Sequence, residues 1–272
     1  MSSTLGDDLA KHEIAWRSKP LLRRIYRDWY ELIAARLARI PGPTIELGAG
    51  IARFKEVVPS AVVTDVEPTP WADRVMNADH LEYADACVAN LVLIDVFHHL
   101  ARPARFLDEA DRVLRDRGRI ILLEPYCSAL STFVYTRFHH EDIDLDAAPF
   151  ADDPSLDGSP MTANGARPTL AFFRHDHELR QRWTRLRLIE RRRLAFFVYP
   201  LSGGFSRRSL LPVAAYRPLA HVERWLDPLG RLLAFRCLVV IEREVRTAQR
   251  PQAAHAWRSS TRPRRRDPGT TT

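Results

Sequence analysis

A glycine pair preceded by a carboxylate is the stretch of this sequence best suited to chemistry. Gly48 and Gly50 follow a short apolar run, and Glu46 lies two residues before the first glycine. Glycines at such a turn let a ligand approach the backbone without meeting a Cβ. A dinucleotide-binding turn would place a third glycine where Arg53 stands, and Glu46 would repel a pyrophosphate. The turn therefore favours a ligand with an ammonium or sulfonium group, unless Glu46 only accepts backbone hydrogen bonds.

Further acidic residues recur after this turn. Asp65 lies fifteen positions after Gly50 and could accept both hydroxyls of a ribose, with Glu67 as the alternative because strand ends shift by a residue or two. Asp79 could accept the exocyclic amine of an adenine or cap a loop. Asp95 follows the most apolar run of the chain, and we expect it at the same edge of a sheet as Gly48.

Four histidines are candidates for a general base, which is needed only when a substrate must lose a proton. His98 and His99 follow shortly after Asp95, and we expect at least one of them to have a packing role. His139 and His140 precede two acidic residues and could meet a substrate. Adjacent side chains do not readily converge on one ion, so no metal site is predicted. The candidate catalytic residues are His98, His99 and His140.

Alternating strands and helices must position these side chains. The alternation predicts an α/β fold, a Rossmann-like doubly wound sheet of about seven strands, mostly parallel with an antiparallel C-terminal strand, plus a cap segment. The predicted strands are 44–47, 61–64, 74–77, 89–94, 119–123, 186–198 and 232–241. The predicted helices are 12–40, 52–58, 103–114, 176–183 (capped by Asp176) and 220–226.

The chain divides into three parts by composition. We expect an N-terminal helical segment over residues 1–42, a main domain over 43–245 that contains a cap at 126–170, and a disordered basic tail over 246–272. The tail carries seven arginines and one aspartate, so it holds +6 of the formal net charge of +7. The nearly neutral remainder gives no reason to predict nucleic-acid binding by the folded domain. A solvated tail is expected, and a tether to nucleic acid or anionic lipid is the alternative.

The sequence points to a cytoplasmic protein. Its polar N-terminus lacks the apolar core of a signal peptide, and no apolar run approaches the ~20 residues that span a bilayer. Cys87, Cys127 and Cys237 lie far apart without CxxC spacing. They fit reduced thiols and predict neither disulfides nor a zinc site.

Six motifs in order resemble those of the class I S-adenosylmethionine-dependent methyltransferases, and most closely the small-molecule "type 11" subgroup. The resemblance covers about residues 43 to 126. The motifs are Glu46-Leu47-Gly48-Ala49-Gly50, Asp65, Asn77-Ala78-Asp79-His80-Leu81, Leu91 to Leu100, Glu109 to Leu114, and Gly118 to Pro125.

This resemblance implies a cofactor, S-adenosyl-L-methionine, and a set of residues that bind it. They are Glu46, Gly48, Ala49 and Gly50 for the methionine and ribose, Asp65 for the ribose hydroxyls, Asp79 with the backbone near His80 for adenine, and Asp95 for the methionine moiety. The sequence departs from the family pattern at Ala52, Asn90, Glu82-Tyr83 and Asp116-Arg117. These departures leave the fine contacts of the adenine pocket open.

The function predicted from the sequence is methyl transfer from S-adenosylmethionine to a small-molecule acceptor. The alternatives are a nicotinamide-dependent oxidoreductase, and a non-catalytic binding module that keeps the methyltransferase fold. Oxygen, nitrogen and carbon acceptors all stay open because the fold does not choose among them. The oligomeric state is also open.

Overall fold

Seven strands form one sheet in the computed structural model, in the order β3-β2-β1-β4-β5-β7-β6. The structure describes residues 5–138, 142–156 and 162–245. The strands are β1 Thr44–Leu47, β2 Val62–Asp65, β3 Arg74–Val75, β4 Val88–Ile94, β5 Leu114–Pro125, β6 Leu186–Leu194 and β7 Arg236–Arg243. The helices are α1 Leu5–Ser18, α2 Pro20–Ala34, α3 Pro103–Val113, α4 Ala129–Phe138, α5 Arg167–Thr169, α6 Asp176–Arg182, α7 Val198–Leu201, α8 Tyr216–Trp225 and α9 Gly230–Leu233.

The strand directions confirm the predicted Rossmann-like α/β fold. Strands β1 to β5 pair in parallel, and β7 runs antiparallel to both of its neighbours. The carboxyl ends of β1, β2, β4 and β5 therefore meet at one edge of the sheet, which we call the ligand edge because open α/β sheets bind ligands there. The reversed β7 brings its first residue, Arg236, opposite Pro125 at this edge.

Apolar side chains cover both faces of the sheet. A row of paired residues, Ile45, Leu91, Ile120 and Ile241, is fully buried on one face. The other face is covered by α2, whose buried side chains recur at three- and four-residue spacing and include Leu22, Ile25 and Ile33. Burial on both faces explains why the central strands read as continuous apolar runs.

Several element boundaries differ from the sequence prediction. The predicted helix 12–40 is two helices, because Pro20 begins α2 after Lys19 and has no N–H to continue the first ladder. The predicted helix 52–58 is only a 3₁₀ turn at Arg53–Glu56, preceded by Ala52 in the left-handed region. The predicted last strand began too early, because residues 230–233 form α9.

Two further predictions need correction. Strand β5 begins at Leu114 rather than after Gly118, since Leu114 pairs with Val88 before the register shifts between Val88 and Asn90. Asp176 does not cap α6, because His175 occupies the cap position. The Asp176 carboxylate is instead contacted by Arg180 and Arg191.

The cap predicted at 126–170 contains more regular structure than its lack of periodicity indicated. It includes α4, a short 3₁₀ turn at Pro154–Leu156 and α5, which continues into a π-helical turn at Leu170–Arg174. His140 and the predicted tail at 246–272 lie outside the described residues. Within the described ranges, no helix is long and apolar enough to cross a membrane.

Candidate functional site

The glycine turn after β1 is shaped by two glycines with different surroundings. Gly48 and Gly50 have φ angles of +63° and +52°, a region that glycine enters without strain. A Cβ at Gly48 would lie 2.6 Å from a methyl group of Val96, whereas a Cβ at Gly50 would meet only the Leu9 side chain, at 3.5 Å. Gly48 therefore permits close packing against the loop after β4. Gly50 faces α1, where a Cβ would make an ordinary van der Waals contact with Leu9.

Glu46 brings a buried carboxylate to the end of β1. Its side chain is 3% exposed, and Oε2 has no hydrogen-bond partner among the described residues. Burial, and then the charge of Asp65, raises its pKa to about 8. The neighbouring Thr64 hydroxyl donates to the main-chain oxygen of Glu46 rather than to its carboxylate. An uncompensated buried carboxylate is costly, so this atom suits a ligand with a positive charge.

Asp65 connects the end of β2 to the glycine turn. Its carboxylate accepts the Gly50 N–H at 2.9 Å and the Val66 N–H at 2.8 Å. Burial raises its pKa, while the backbone hydrogen bonds act in the opposite direction. Each carboxylate oxygen can accept more than one hydrogen bond. The structure therefore brings Glu46, Gly50 and Asp65 together, as the sequence predicts.

Arg53, where a dinucleotide-binding turn would have its third glycine, is held by α1. Its guanidinium pairs with the Glu13 carboxylate and lies 5.9 Å from the centre of the Trp16 ring. Leu9, on the same helix, packs over Gly50. Helix α1 therefore covers the glycine turn, a relationship that the sequence pattern did not indicate.

The predicted adenine-side residues lie after β3. The Asp79 carboxylate accepts a hydrogen bond from the Arg102 guanidinium at 2.9 Å, and its own N–H donates to the Asn77 side chain. His80 is exposed, and its N–H donates to the main-chain oxygen of Asn77. Arg102 precedes α3, so sequence reasoning did not associate it with Asp79.

Asp95 meets a second ionisable residue at the ligand edge, Arg236. The guanidinium contacts Asp95 Oδ1, and the Tyr26 hydroxyl donates to Oδ2 at 3.3 Å. Arg236 is 4% exposed and lies 5.4 Å from the ring centres of both Trp29 and Tyr199. The sequence analysis missed Arg236. The available signal was an arginine directly before the apolar run 237–241.

His98 is held by a buried glutamate that sequence reasoning also missed. Glu124, at the end of β5, lies with Oε2 2.6 Å from His98 Nδ1, and its Oε1 accepts the N–H groups of Val96 and Phe97. His98 and Glu124 are 2% and 0% exposed. One carboxylate thus shapes the loop after β4 and fixes the imidazole.

The cap closes against the same loop. The Asn164 N–H donates to the main-chain oxygen of His98 at 3.0 Å, and His99 Nδ1 lies 3.0 Å from the main-chain oxygen of Thr162. The Arg167 guanidinium, also buried, donates to the main-chain oxygen of Leu100. These contacts place His98 and His99 between the sheet edge and the cap.

Two groups of side chains in the described residues have metal-compatible spacing. One is Asp95, His98 and Glu124, whose ligand atoms lie within 4.8 Å of one another; the other is His175, His177 and Glu178. In the first group, the Glu124 carboxylate accepts hydrogen bonds from two main-chain N–H groups and contacts the His98 ring. The Asp95 carboxylate is paired with the Arg236 guanidinium. These contacts satisfy the acidic groups without a cation.

Known proteins resemble this chain in sequence and in fold. Residues 48–122 match the family described as "Methyltransferase domain". The geranyl diphosphate C-methyltransferase from Streptomyces coelicolor A3(2), solved with Mg²⁺, geranyl diphosphate and S-adenosyl-L-homocysteine, is 12% identical with a TM-score of 0.51; the match covers 81% of this chain and 80% of that chain. A chain from the complex of the Haloferax volcanii Trm112 methyltransferase activator with a methyltransferase is 14% identical with a TM-score of 0.45, and the match covers 85% and 97% of the two chains.

No curated protein matches the chain by sequence, so the assignment rests on the family match, the ordered motifs and the strand order. The family match begins at Gly48 and ends at Leu122, and it includes both Asp65 and Asp95. Residues 48–122 therefore match a methyltransferase domain, and the sheet that contains them has the Rossmann-like fold found in class I S-adenosylmethionine-dependent methyltransferases.

Proposed function

We propose that this protein transfers a methyl group from S-adenosylmethionine to a small-molecule acceptor. The observation that carries the proposal is the buried Glu46 carboxylate, which has an unpartnered oxygen beside Gly50 and Asp65. A glycine turn lets a ligand approach the backbone closely, and the Glu46 oxygen that has no partner among the described residues suits a cationic one. The residues at this edge therefore fit adenosylmethionine. When bound, it supplies a methyl group on a positively charged sulfur.

We propose that different residues of this chain bind different parts of the cofactor. Glu46 faces the cationic part, and the main chain from Gly48 to Gly50 admits the cofactor close to the backbone. Asp65 accepts the ribose hydroxyls with the lone pairs that its two backbone donors leave. Asp79 and the backbone near His80 remain the proposed adenine contacts, with Arg102 holding the Asp79 carboxylate.

A small acceptor is favoured because the site is covered on two sides. Helix α1 covers the glycine turn through Leu9 and the Glu13–Arg53 pair. The cap contacts the loop after β4 through Asn164 and Thr162. Exclusion of water and alignment of the two reactants are what the protein contributes to a displacement of this kind. A covered site does both more readily for a small molecule than for a polymer.

Of the two candidate histidines that the structure describes, His98 is the better placed if the acceptor must lose a proton. Glu124 holds Nδ1 of the His98 ring. Such a third group orients the base in catalytic sites of this kind. We propose that the other nitrogen, Nε2, accepts the acceptor's proton. His99 and His140 remain candidates, and the identity of the acceptor would decide which histidine acts.

Titration calorimetry tests the cofactor assignment. We expect S-adenosylhomocysteine and S-adenosylmethionine to bind and NADPH not to bind. Asp65→Ala should abolish binding, whereas Glu244→Gln, which removes an exposed carboxylate at the opposite edge of the sheet, should not change it. An affinity for NADPH without any for the adenosyl compounds would replace the proposal with the oxidoreductase alternative.

An activity screen with a labelled methyl donor and a metabolite extract, followed by mass identification of the product, tests the transfer itself. The non-catalytic alternative has one observation in its favour: Asp95 and Glu124, the carboxylates nearest His98, already have partners within the chain. Cofactor binding without methyl transfer across such an extract would favour this alternative.

The compartment and partners follow from separate features. We propose a cytoplasmic protein because Cys87, Cys127 and Cys237 are free thiols. Burial raises the pKa of the Cys127 thiol to about 11, so this thiol is unreactive near neutral pH. We propose no nucleic-acid partner for the folded domain.

A further inference from the structure

Large apolar side chains are exposed on several elements that adjoin one another. Trp225 and Leu210 are 76% and 74% exposed, and four others on the surface are about half exposed. We call this surface the apolar face; it is marked by Phe133, Phe138, Leu210, Val222, Trp225 and Leu232. A single exposed apolar residue is ordinary, but a contiguous group indicates an interaction site.

The elements that carry the apolar face are joined to one another. Helix α4 contacts α9, and a 3₁₀ turn at Asp227–Leu229 connects α8 to α9. The Arg207 guanidinium donates to the main-chain oxygen of Phe138 at 3.0 Å, which ties the loop before α8 to the end of α4. The elements that carry the apolar face therefore adjoin one another.

The charge on this surface has one sign. Residues 129–138 and 207–232 contain six arginines against Glu223 and Asp227, a formal charge of +4. Glu223 points inward, where it accepts the N–H groups of residues 196–198. Asp227 is therefore the one acid exposed in these two segments. Arg137, Arg217, Arg224 and Arg231 are all exposed beside the apolar side chains.

The apolar face adjoins the ligand edge of the sheet. Helix α4 begins just after β5 ends at Pro125, and α9 ends just before β7 begins at Arg236. Whatever covers the face would lie next to Arg236 and Asp95, at the acceptor side of the site.

We propose that the apolar face docks onto an anionic lipid bilayer. Apolar and aromatic side chains insert at the headgroup boundary, while arginines extend their charged ends to the lipid phosphates. Basic residues near an anionic leaflet add to the attraction. Two copies of this face would bring two clusters of arginines together, and their like charges disfavour self-association. The ligand edge would then open at the membrane surface.

Vesicle co-sedimentation of the full-length protein tests the proposal. The probes are vesicles of phosphatidylcholine alone and of phosphatidylcholine with about a third phosphatidylglycerol. We expect binding to the anionic vesicles, weakened by salt, and little binding to the neutral ones. The double variant Trp225→Glu/Leu232→Glu should bind at least about tenfold more weakly, because it loses two inserted side chains and gains two negative charges.

Val245→Glu is the matched control, since Val245 is half exposed just after β7 at the opposite edge of the sheet. It should bind as the unmodified protein does, and circular dichroism should show that all variants are folded. The basic C-terminal segment is present in every variant. If the double variant bound anionic vesicles as well as the unmodified protein does, the binding would be due to that segment, and the proposal would be overturned. Failure to bind anionic vesicles would also overturn it, as would a dimer in sedimentation velocity that the double variant dissociates.

Discussion

The Arg236 guanidinium contacts the Asp95 carboxylate and joins the first residue of β7 to the residue that follows β4. The two residues are 141 positions apart in the chain. Arg236 is almost fully buried among aromatic rings, whereas the Asp95 side chain is 30% exposed. The pair therefore places a charged contact at the boundary between the core and the ligand edge.

Removal of the guanidinium should destabilise the protein through its partner. We expect Arg236→Met to lower the free energy of unfolding by about 1–3 kcal/mol, less than the loss of a fully buried partner costs, because Asp95 can still be hydrated. The double variant Asp95→Asn/Arg236→Met should lose less than the sum of the two single variants. Chemical denaturation measures all three, and strictly additive losses would contradict the pairing.

Glu46 should make the stability of the unliganded protein depend on pH. Its pKa is raised from about 4.5 in the unfolded chain to about 8 in the folded protein. The folded state therefore holds this proton more tightly, and stability from this group falls as pH rises from about 4.5 to 8. Glu46→Gln should remove about 2–5 kcal/mol of that decline. Thermal unfolding between pH 5 and pH 8.5 checks the expectation.

The same substitution should act in the opposite direction on cofactor binding. In the unmodified protein, the affinity for S-adenosylmethionine should rise between pH 6.5 and pH 8 as Glu46 loses its proton. The glutamine of Glu46→Gln cannot become negative, so the affinity of this variant should be lower and should not rise over that range. Glu244→Gln, which changes an exposed carboxylate at the opposite edge of the sheet, serves as the control. If Glu46→Gln bound the cofactor as the unmodified protein does, the buried carboxylate would have no role in cofactor recognition.

The two glycines of the turn should respond differently to alanine. Gly48→Ala places a methyl group 2.6 Å from Val96 at a left-handed φ, so we expect a loss of about 2–4 kcal/mol in stability. Val96→Ala in the same chain should restore part of it. Gly50→Ala meets only ordinary contact with Leu9 and should cost about 1 kcal/mol. Its main effect should be weaker cofactor binding, which calorimetry measures.

Glu124 should be needed for the loop after β4 as well as for His98. Glu124→Ala leaves the buried N–H groups of Val96 and Phe97 without their acceptor, so we expect a loss of at least about 3 kcal/mol in stability. Glu124→Gln keeps one acceptor oxygen and should be milder. If His98 acts as a base, Glu124→Gln should also shift the pH dependence of methyl transfer, whereas a purely structural role would leave the pH profile in place.

The order of strands and the glycine turn could be predicted from the sequence because both depend on local signals. Apolar runs, turn residues and the placement of acids after strands lie within a few positions of one another. Glu46 and Asp65 belong to neighbouring parallel strands, whose carboxyl ends must meet at one edge, and Gly50 lies in the turn that follows the first of them. Helix boundaries were predicted less accurately, as at Pro20 and at the 3₁₀ turn after Ala52. A proline or a residue in the left-handed region interrupts the hydrogen bonds of an α-helix even where the apolar residues keep a helical spacing.

The contacts that complete the acceptor side depend on the tertiary structure. Arg236 reaches Asp95 only because β7 inserts, reversed, between β5 and β6. The cover that α1 forms over Gly50 depends on how a helix from the start of the chain packs on the finished sheet. The sequence by itself determined the succession of strands along the chain, the cofactor class and the positions of the acids at the strand ends, because these follow from local pattern and a parallel sheet. Only the tertiary structure decided which charges those acids meet, because their partners lie in segments remote in the chain and carry no signal of proximity.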